Sequence, residues 1–301
     1  MVDVSTMTST AHRECETGRP ALYHFVSDLE SGPDLLDPER MPERLAVLDR
    51  LDRIVGDSTG LRYPDAEIAG LRALQIRLEA VNQALYEEAR SEILREGSSR
   101  RLRQWLAGEE AGVSPLPGLS FDLRDEIVSG VLRLREPGEP EVPRSAEMLA
   151  YQPTPARHVL DLIARCELST DDVLVDVGSG LGHVPLVVSM LTGNRTLGIE
   201  LEPGYVACAR ECADTLQIRQ ARFVAEDART ADLSSGTVFY LYTPFTGAIL
   251  SDVLDRLRQE ARNRPIRICS LGPCTRTLLR QEWLQASAPA ETGRIAMFES
   301  Q

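Results

Sequence analysis

Val173-Leu174-Val175-Asp176-Val177-Gly178-Ser179-Gly180-Leu181-Gly182-His183-Val184-Pro185 is the stretch on which the reading of this chain turns. A β-branched run leads into a glycine-rich turn, and an apolar helical pattern follows. The glycines stand at alternate positions, with Asp176 two residues before the first. Glycine admits positive φ and lets the backbone lie flat against a ligand. The free amides at the start of the next helix favour an anionic group. Pro185 suits a first helical turn, where its missing N–H costs nothing. The turn predicts a nucleotide-like ligand.

A dinucleotide fingerprint reads G-x-G-x-x-G, with an acid about 20 positions on. Here the third glycine comes one residue early, and Asp176 stands at the strand end. Downstream, Leu197-Gly198-Ile199-Glu200 reads as a second strand ending in an acid, which can take both ribose hydroxyls. A third strand, Ala221 to Ala225, precedes Glu226-Asp227-Ala228, and a fourth, Val238 to Tyr242, runs into Thr243-Pro244-Phe245. In order and spacing these runs resemble the class I S-adenosylmethionine (SAM) methyltransferases, whose first motif the D-x-G-x-G-x-G run matches. The resemblance covers roughly the C-terminal half of the chain. It implies an α/β, Rossmann-like seven-strand sheet, with SAM as cofactor and S-adenosylhomocysteine as product. It also implies cofactor contacts from Asp176, Gly178, Ser179, Gly180, Gly182, Glu200, Asp227 and Ala228, with Asp227 receiving the adenine amino group.

The methyl of a sulfonium is already electrophilic, so the protein has to align a nucleophile and exclude water. A base is needed only where the nucleophile arrives protonated. Tyr242-Thr243-Pro244-Phe245 occupies the place where amino-methylating relatives carry an asparagine-containing N-P-P-[YF] run. Threonine in place of that asparagine argues against planar N-methylation and leaves other acceptors open. Tyr242 is read as catalytic, and Thr243 and Phe245 as substrate-binding, against the alternative of aromatic packing over the cofactor. Tyr151-Gln152-Pro153-Thr154-Pro155 resembles a loop that some seven-strand protein lysine methyltransferases lay over the methionine end of SAM. Thr154 would then bond the carboxylate and Tyr151 shield the methyl; the plain alternative makes Thr154 a helix N-cap. His183 is a second catalytic candidate, its alternative being a side chain that packs at the cofactor's edge. His24 could reach the site if the N-terminal region forms a lid. The loop Cys269 to Cys274 lines the pocket or is a simple turn.

Composition limits the partners. Across 301 residues the net charge is −13, without the basic footprint that nucleic-acid binding leaves. A basic stretch from Arg95 to Arg103 reads as a solvated helix end. There is no apolar run long enough for a membrane span and no signal-peptide pattern. The six cysteines form no C-x-x-C pair, so no metal is expected and a reducing cytoplasm is the expected compartment.

Residues 1–18 read as a disordered tail and 19–135 as an all-helical cap or dimerisation domain. Residues 136–145 read as a proline-rich linker and 146–301 as the SAM-binding domain. A helix from Asp65 to Gly97 carries Leu71, Leu74, Leu78, Val81 and Leu85 at 3-4-3-4 spacing, a seam for intrachain packing or for a homodimer. Strands are expected near 172–177, 195–200, 221–225, 236–242 and 265–271, then a helix at 275–282. A final strand from Arg294 to Ser300 would complete the catalytic domain. The leading expectation is methyl transfer to a small-molecule acceptor under the helical domain, in preference to a protein. The alternatives are a protein (lysine) methyltransferase and a SAM-binding, non-catalytic scaffold or regulatory protein.

Overall fold

The computed structural model describes residues 34–56, 65–107, 123–135, 137–138 and 141–301. The expected tail at 1–18 and His24 lie outside them. Contacts divide the chain into two compact units, Met1–Glu87 and Glu88–Gln301.

In the first unit, Asp37 opens a 3-10 turn at Pro38–Arg40 by accepting the Glu39 amide at 3.0 Å. Helix α1, Met41–Gly56, follows and buries Met41, Leu45, Leu48 and Leu51 on one stripe. Helix α2, Asp65–Glu96, begins in this unit and runs on into the second. It ends at Gly97, whose φ of 70° and amide bond to the Ile93 carbonyl form a left-handed C-cap. Leu71, Leu78 and Leu85 of the seam are buried in the single chain, with Leu74 and Val81 half-buried. Beside them, buried Arg44 donates from Nε to Asn82 Oδ1 at 2.6 Å and from Nη1 to the carbonyls of Leu35 and Asp37. Three of the five seam positions are thus covered within the chain itself.

The second unit opens with α3 (Arg100–Ala107), α4 (Leu123–Leu132) and α5 (Ala156–Cys166). Ser99 caps α3, its Oγ accepting the Leu102 amide at 3.0 Å and donating to Glu92 at 2.6 Å. Arg101 pairs with Glu88 nearby, so this basic stretch is a solvated, ion-paired helix end. The first amide of α5, at Ala156, goes to Asp125 Oδ1 of α4 at 2.6 Å. Thr154 is therefore not the N-cap, and its hydroxyl is left for another partner.

Strands β1 (Val173–Val177), β2 (Arg195–Glu200), β3 (Ala221–Ala225), β4 (Val238–Leu241), β5 (Arg267–Ser270), β6 (Leu284–Ala286) and β7 (Ala296–Ser300) form one sheet in the order β3-β2-β1-β4-β5-β7-β6. The first five are parallel; β7 inserts antiparallel between β5 and β6. This is the expected Rossmann-like seven-strand architecture, with an all-helical region before it. Helices α6 (His183–Thr192), α7 (Pro203–Thr215), α8 (Gly247–Asn263) and the short α9 (Thr275–Leu278) connect the strands. The helix expected to reach residue 282 stops at Leu278, because the chain turns there to pair Leu284–Ala286 with β7.

Strand β1 is buried along its whole length, as a central parallel strand covered on both faces should be. Its Val175 and Val177 pack with Phe239, Leu241 and Ile268, and with Ile249, Val253 and Leu257 of α8. The order reverses between β1 and β4, and ligands of open α/β sheets collect at that switch point, outside the carboxyl ends of the strands. Among the described residues, no helix is long and apolar enough to cross a membrane.

Candidate active site

The turn after β1 takes positive φ at Gly178, Gly180 and Gly182. Its first three amides are spent on the end of β2. Those of Gly178 and Ser179 reach the Ile199 carbonyl at 2.8 and 3.0 Å, and that of Gly180 reaches Glu200 Oε2 at 2.8 Å. The other Glu200 oxygen accepts the Glu202 amide at 2.9 Å. A Cβ on Gly178 would overlap Pro244, and one on Gly180 would overlap the Tyr151 ring. Two loops from elsewhere in the chain thus lie directly on the glycine turn, which is why glycine is needed there.

Tyr151 is the closer of the two. Its ring covers Gly180, its hydroxyl lies 3.0 Å from His183 Nδ1, and its centroid is 5.1 Å from that of Tyr205. Burial pulls the His183 imidazole down to about 4, so the ring is neutral at physiological pH. Thr154, freed from capping, faces the Tyr240 hydroxyl at 3.3 Å. Burial, with the Glu200 charge second, pushes the Asp176 carboxyl up to about 8. Ser179 Oγ is buried with no hydrogen-bond partner. Both are arrangements that a cationic, hydrogen-bonding ligand would relieve.

Against the turn lies a cavity of about 540 Å³. Gly178, Glu200, Asp227 and Ala228 form one wall; Tyr151 and the Tyr242–Phe245 loop form another. Asp227 is paired with Arg229, Oδ2 to Nη2 at 2.6 Å, which holds its carboxyl below the usual range. Asp176, Ser179, Gly180, Gly182, Thr154 and His183 stand outside the lining. The Tyr151 ring, laid over Gly180 and bonded to His183, accounts for the screening of those two. Leu271, Gly272 and Pro273, from the loop after β5, also line the cavity.

Thr243 sits at φ 35°, where a β-branched residue is rare. Its hydroxyl donates to the Leu271 carbonyl at 3.1 Å and accepts the Cys274 amide at 3.2 Å. That side chain ties the loops after β4 and β5 together, while Thr243 lines the cavity with its neighbours Tyr242, Pro244 and Phe245.

Sequence reasoning missed the segment before Tyr151. Glu202 accepts the amides of Glu141 and Val142 at 3.0 and 3.1 Å, and Glu147 accepts those of Ala248 and Ile249 at 3.1 and 3.0 Å. Met148 bridges Phe245, and the Leu149 amide reaches the Pro244 carbonyl at 3.1 Å. Such pairings of a carboxylate with amides about 60 or 100 positions away leave no periodic trace in a sequence.

Residues 146–236 match the family model described as "Histone methylation protein DOT1". A curated relative, a histone-lysine N-methyltransferase specific for H3 lysine-79 from Cryptococcus neoformans, is 39% identical over 61 residues, covering 20% of this chain and 9% of the relative. The chain therefore spans only a small part of that protein. Among solved structures, an RNA methyltransferase from Salinibacter ruber with S-adenosylhomocysteine is 23% identical, covering 50% of this chain and 92% of its own, at a TM-score of 0.41. A SAM-dependent methyltransferase from Geobacter sulfurreducens, also with S-adenosylhomocysteine, is 21% identical, covering 46% and 53%, at 0.32.

The second unit thus has the class I, SAM-binding methyltransferase fold, in sheet order, glycine turn and family match alike. One expectation is overturned. A small-molecule acceptor was favoured over a protein, yet the matched family and relative act, by their descriptions, on a histone. The net charge of −13 is complementary to a basic protein.

Proposed function

We propose that this chain is a SAM-dependent methyltransferase whose acceptor is the side-chain amine of a lysine in a protein. The observation that carries the reading is the cavity between the glycine turn and the Tyr151 and Tyr242–Phe245 loops, whose glycine turn, Tyr151, Glu200 and Asp227 fall within the stretch matched to the DOT1 model. Bound SAM supplies a methyl group on a positively charged sulfur. In this reading Glu200 takes the ribose hydroxyls and Asp227 the adenine amino group. Asp176 and Thr154 face the methionine end.

Tyr151 and Tyr242 then shape the reaction space. Aromatic faces exclude water and accommodate a cationic amine at low cost. An alkylammonium has to lose a proton before it can attack. A neutral His183, with its affinity for protons depressed to about 4, suits holding Tyr151 better than removing that proton. With Nδ1 as acceptor, the Tyr151 hydroxyl donates to His183.

The acidic balance of the chain supports a basic protein as the acceptor, since complementary charge speeds encounter. The test is transfer of labelled methyl from SAM to recombinant histone H3 and to other lysine-rich proteins, with the modified atom located by mass spectrometry. Lysine labelling that drops steeply in Glu200→Ala at sub-saturating SAM is the expected result. A chain that binds SAM and labels no lysine in any of these proteins would overturn the reading.

A further inference from the structure

Between the proline-rich segment and α5, residues Glu141 to Gln152 run along the cavity; Val142, Arg144 and the run from Met148 to Gln152 line it. The segment belongs to no helix or strand, so its position depends on what fastens it. Two of its fastenings are carboxylates that collect backbone amides. At the near end the Glu202 carboxylate receives Glu141 and Val142, and Glu202 itself is bonded through its amide to Glu200, the ribose acid. At the far end Glu147 closes the start of α8, where Thr246 offers no side-chain cap.

The far fastening is built to fit. Gly247 holds a φ of 59°, and a Cβ there would overlap the Glu147 carboxylate. The Glu147 carbonyl accepts the Thr246 amide at 2.8 Å, so one residue bonds α8 through both its backbone and its side chain. Two and four residues on, Leu149 is bonded to Pro244 and Tyr151 lies over Gly180.

We infer that Glu141–Gln152 is a strap whose two carboxylate fastenings have separate duties, and that Glu147 is a positioning residue for methyl transfer. Glu202 couples the strap to the cofactor side through Glu200. Glu147 sets the register between Tyr151 and the Pro244–Phe245 loop, and so the width of the acceptor opening. The inference rests on the methyltransferase reading for its kinetic arm and on geometry alone for its exchange arm.

The experiment compares the natural chain with Glu147→Ala, Glu147→Gln and Glu202→Ala. It measures S-adenosylhomocysteine affinity by calorimetry, steady-state methylation of recombinant histone H3, and amide hydrogen exchange. Glu147→Ala should lower kcat about tenfold or more, because small displacements at a reacting centre are costly, while cofactor Kd changes less than about threefold. Glu147→Gln keeps one accepting oxygen and should fall between. Glu202→Ala should instead weaken S-adenosylhomocysteine about tenfold, the loss of about 1.4 kcal/mol. Exchange should rise at Ala248 and Ile249 and spread to Leu149 and Tyr151 in the Glu147 variants only.

Two results would overturn the inference: the Glu147 and Glu202 variants changing Kd and kcat in the same proportion, or exchange confined to the start of α8. A natural chain that fails to bind S-adenosylhomocysteine would sink the cofactor reading instead, and one that binds it without methylating histone H3 would count against that acceptor. In both cases the exchange arm still decides the strap.

Discussion

Glu200 accepts the Gly180 amide at 2.8 Å through one carboxylate oxygen, so the acid read as the ribose ligand also holds the glycine turn in shape. Removing it should cost the cofactor twice, through the lost ribose bonds and through a slackened turn. A charge-assisted hydrogen bond contributes about 1.5–3 kcal/mol, which predicts a rise of about 10- to 100-fold in the Kd of S-adenosylhomocysteine for Glu200→Ala. Calorimetry checks this; an unchanged Kd would remove Glu200 from the site.

Gly180→Ala should be far more damaging than Gly97→Ala. Both glycines have positive φ, at 52° and 70°, so both substitutions strain the backbone by about 1–2 kcal/mol. Only at Gly180 does the new methyl also meet a ring, that of Tyr151, whereas Gly97 opens on empty space. Thermal unfolding and cofactor titration of the two variants should separate strain alone from strain with collision. Equal losses in both assays would show that Tyr151 does not rest on the turn.

The pH dependence of stability should carry the mark of Asp176. Its carboxyl is raised from 3.8 to about 8, so the folded chain holds a proton that the unfolded chain releases, and stability falls as pH climbs through that window. His183 is depressed from 6.5 to about 4, so its contribution is lost as pH falls from about 6.5 toward 4. The two slopes oppose each other below pH 6.5, and above it only the Asp176 decline remains. Melting temperature should therefore drop from pH 6.5 to 8 in the cofactor-free chain and lose that drop in Asp176→Asn. Affinity for cationic SAM should rise over the same interval, because the ionised carboxylate is the better partner. An identical decline in Asp176→Asn would refute the assignment.

Tyr151→Phe keeps the ring over Gly180 and removes the hydroxyl bonded to His183. A hydrogen bond of this kind is worth about 0.5–1.5 kcal/mol, so the variant should fold with a modest loss of stability. If the Tyr151 hydroxyl faces the acceptor, kcat falls while the Kd of S-adenosylhomocysteine stays within about threefold. A kcat equal to that of the natural chain would restrict Tyr151 to a packing role.

The parallel strands, the glycine turn and the order of Asp176, Glu200 and Asp227 were legible because each rests on local chemistry. β-branched runs, positive-φ glycines and acids at strand ends signal themselves within a few residues. Strands β4 and β5 came out shorter than expected, and α9 ended early where the chain turns into β6. The cap of α5 also escaped, because Asp125 lies 31 positions from the amide it accepts.

By itself, then, the sequence determined the sheet class and the glycine turn that marks the donor side, since a period and a turn are written in consecutive residues. Tertiary structure alone decided that Tyr151 covers Gly180, that Thr243 is spent between two loops, and that Glu147 and Glu202 fasten the segment along the cavity. Those relations join residues tens of positions apart through backbone amides that every residue carries. No residue type marks them, and only the folded chain brings them within hydrogen-bonding distance.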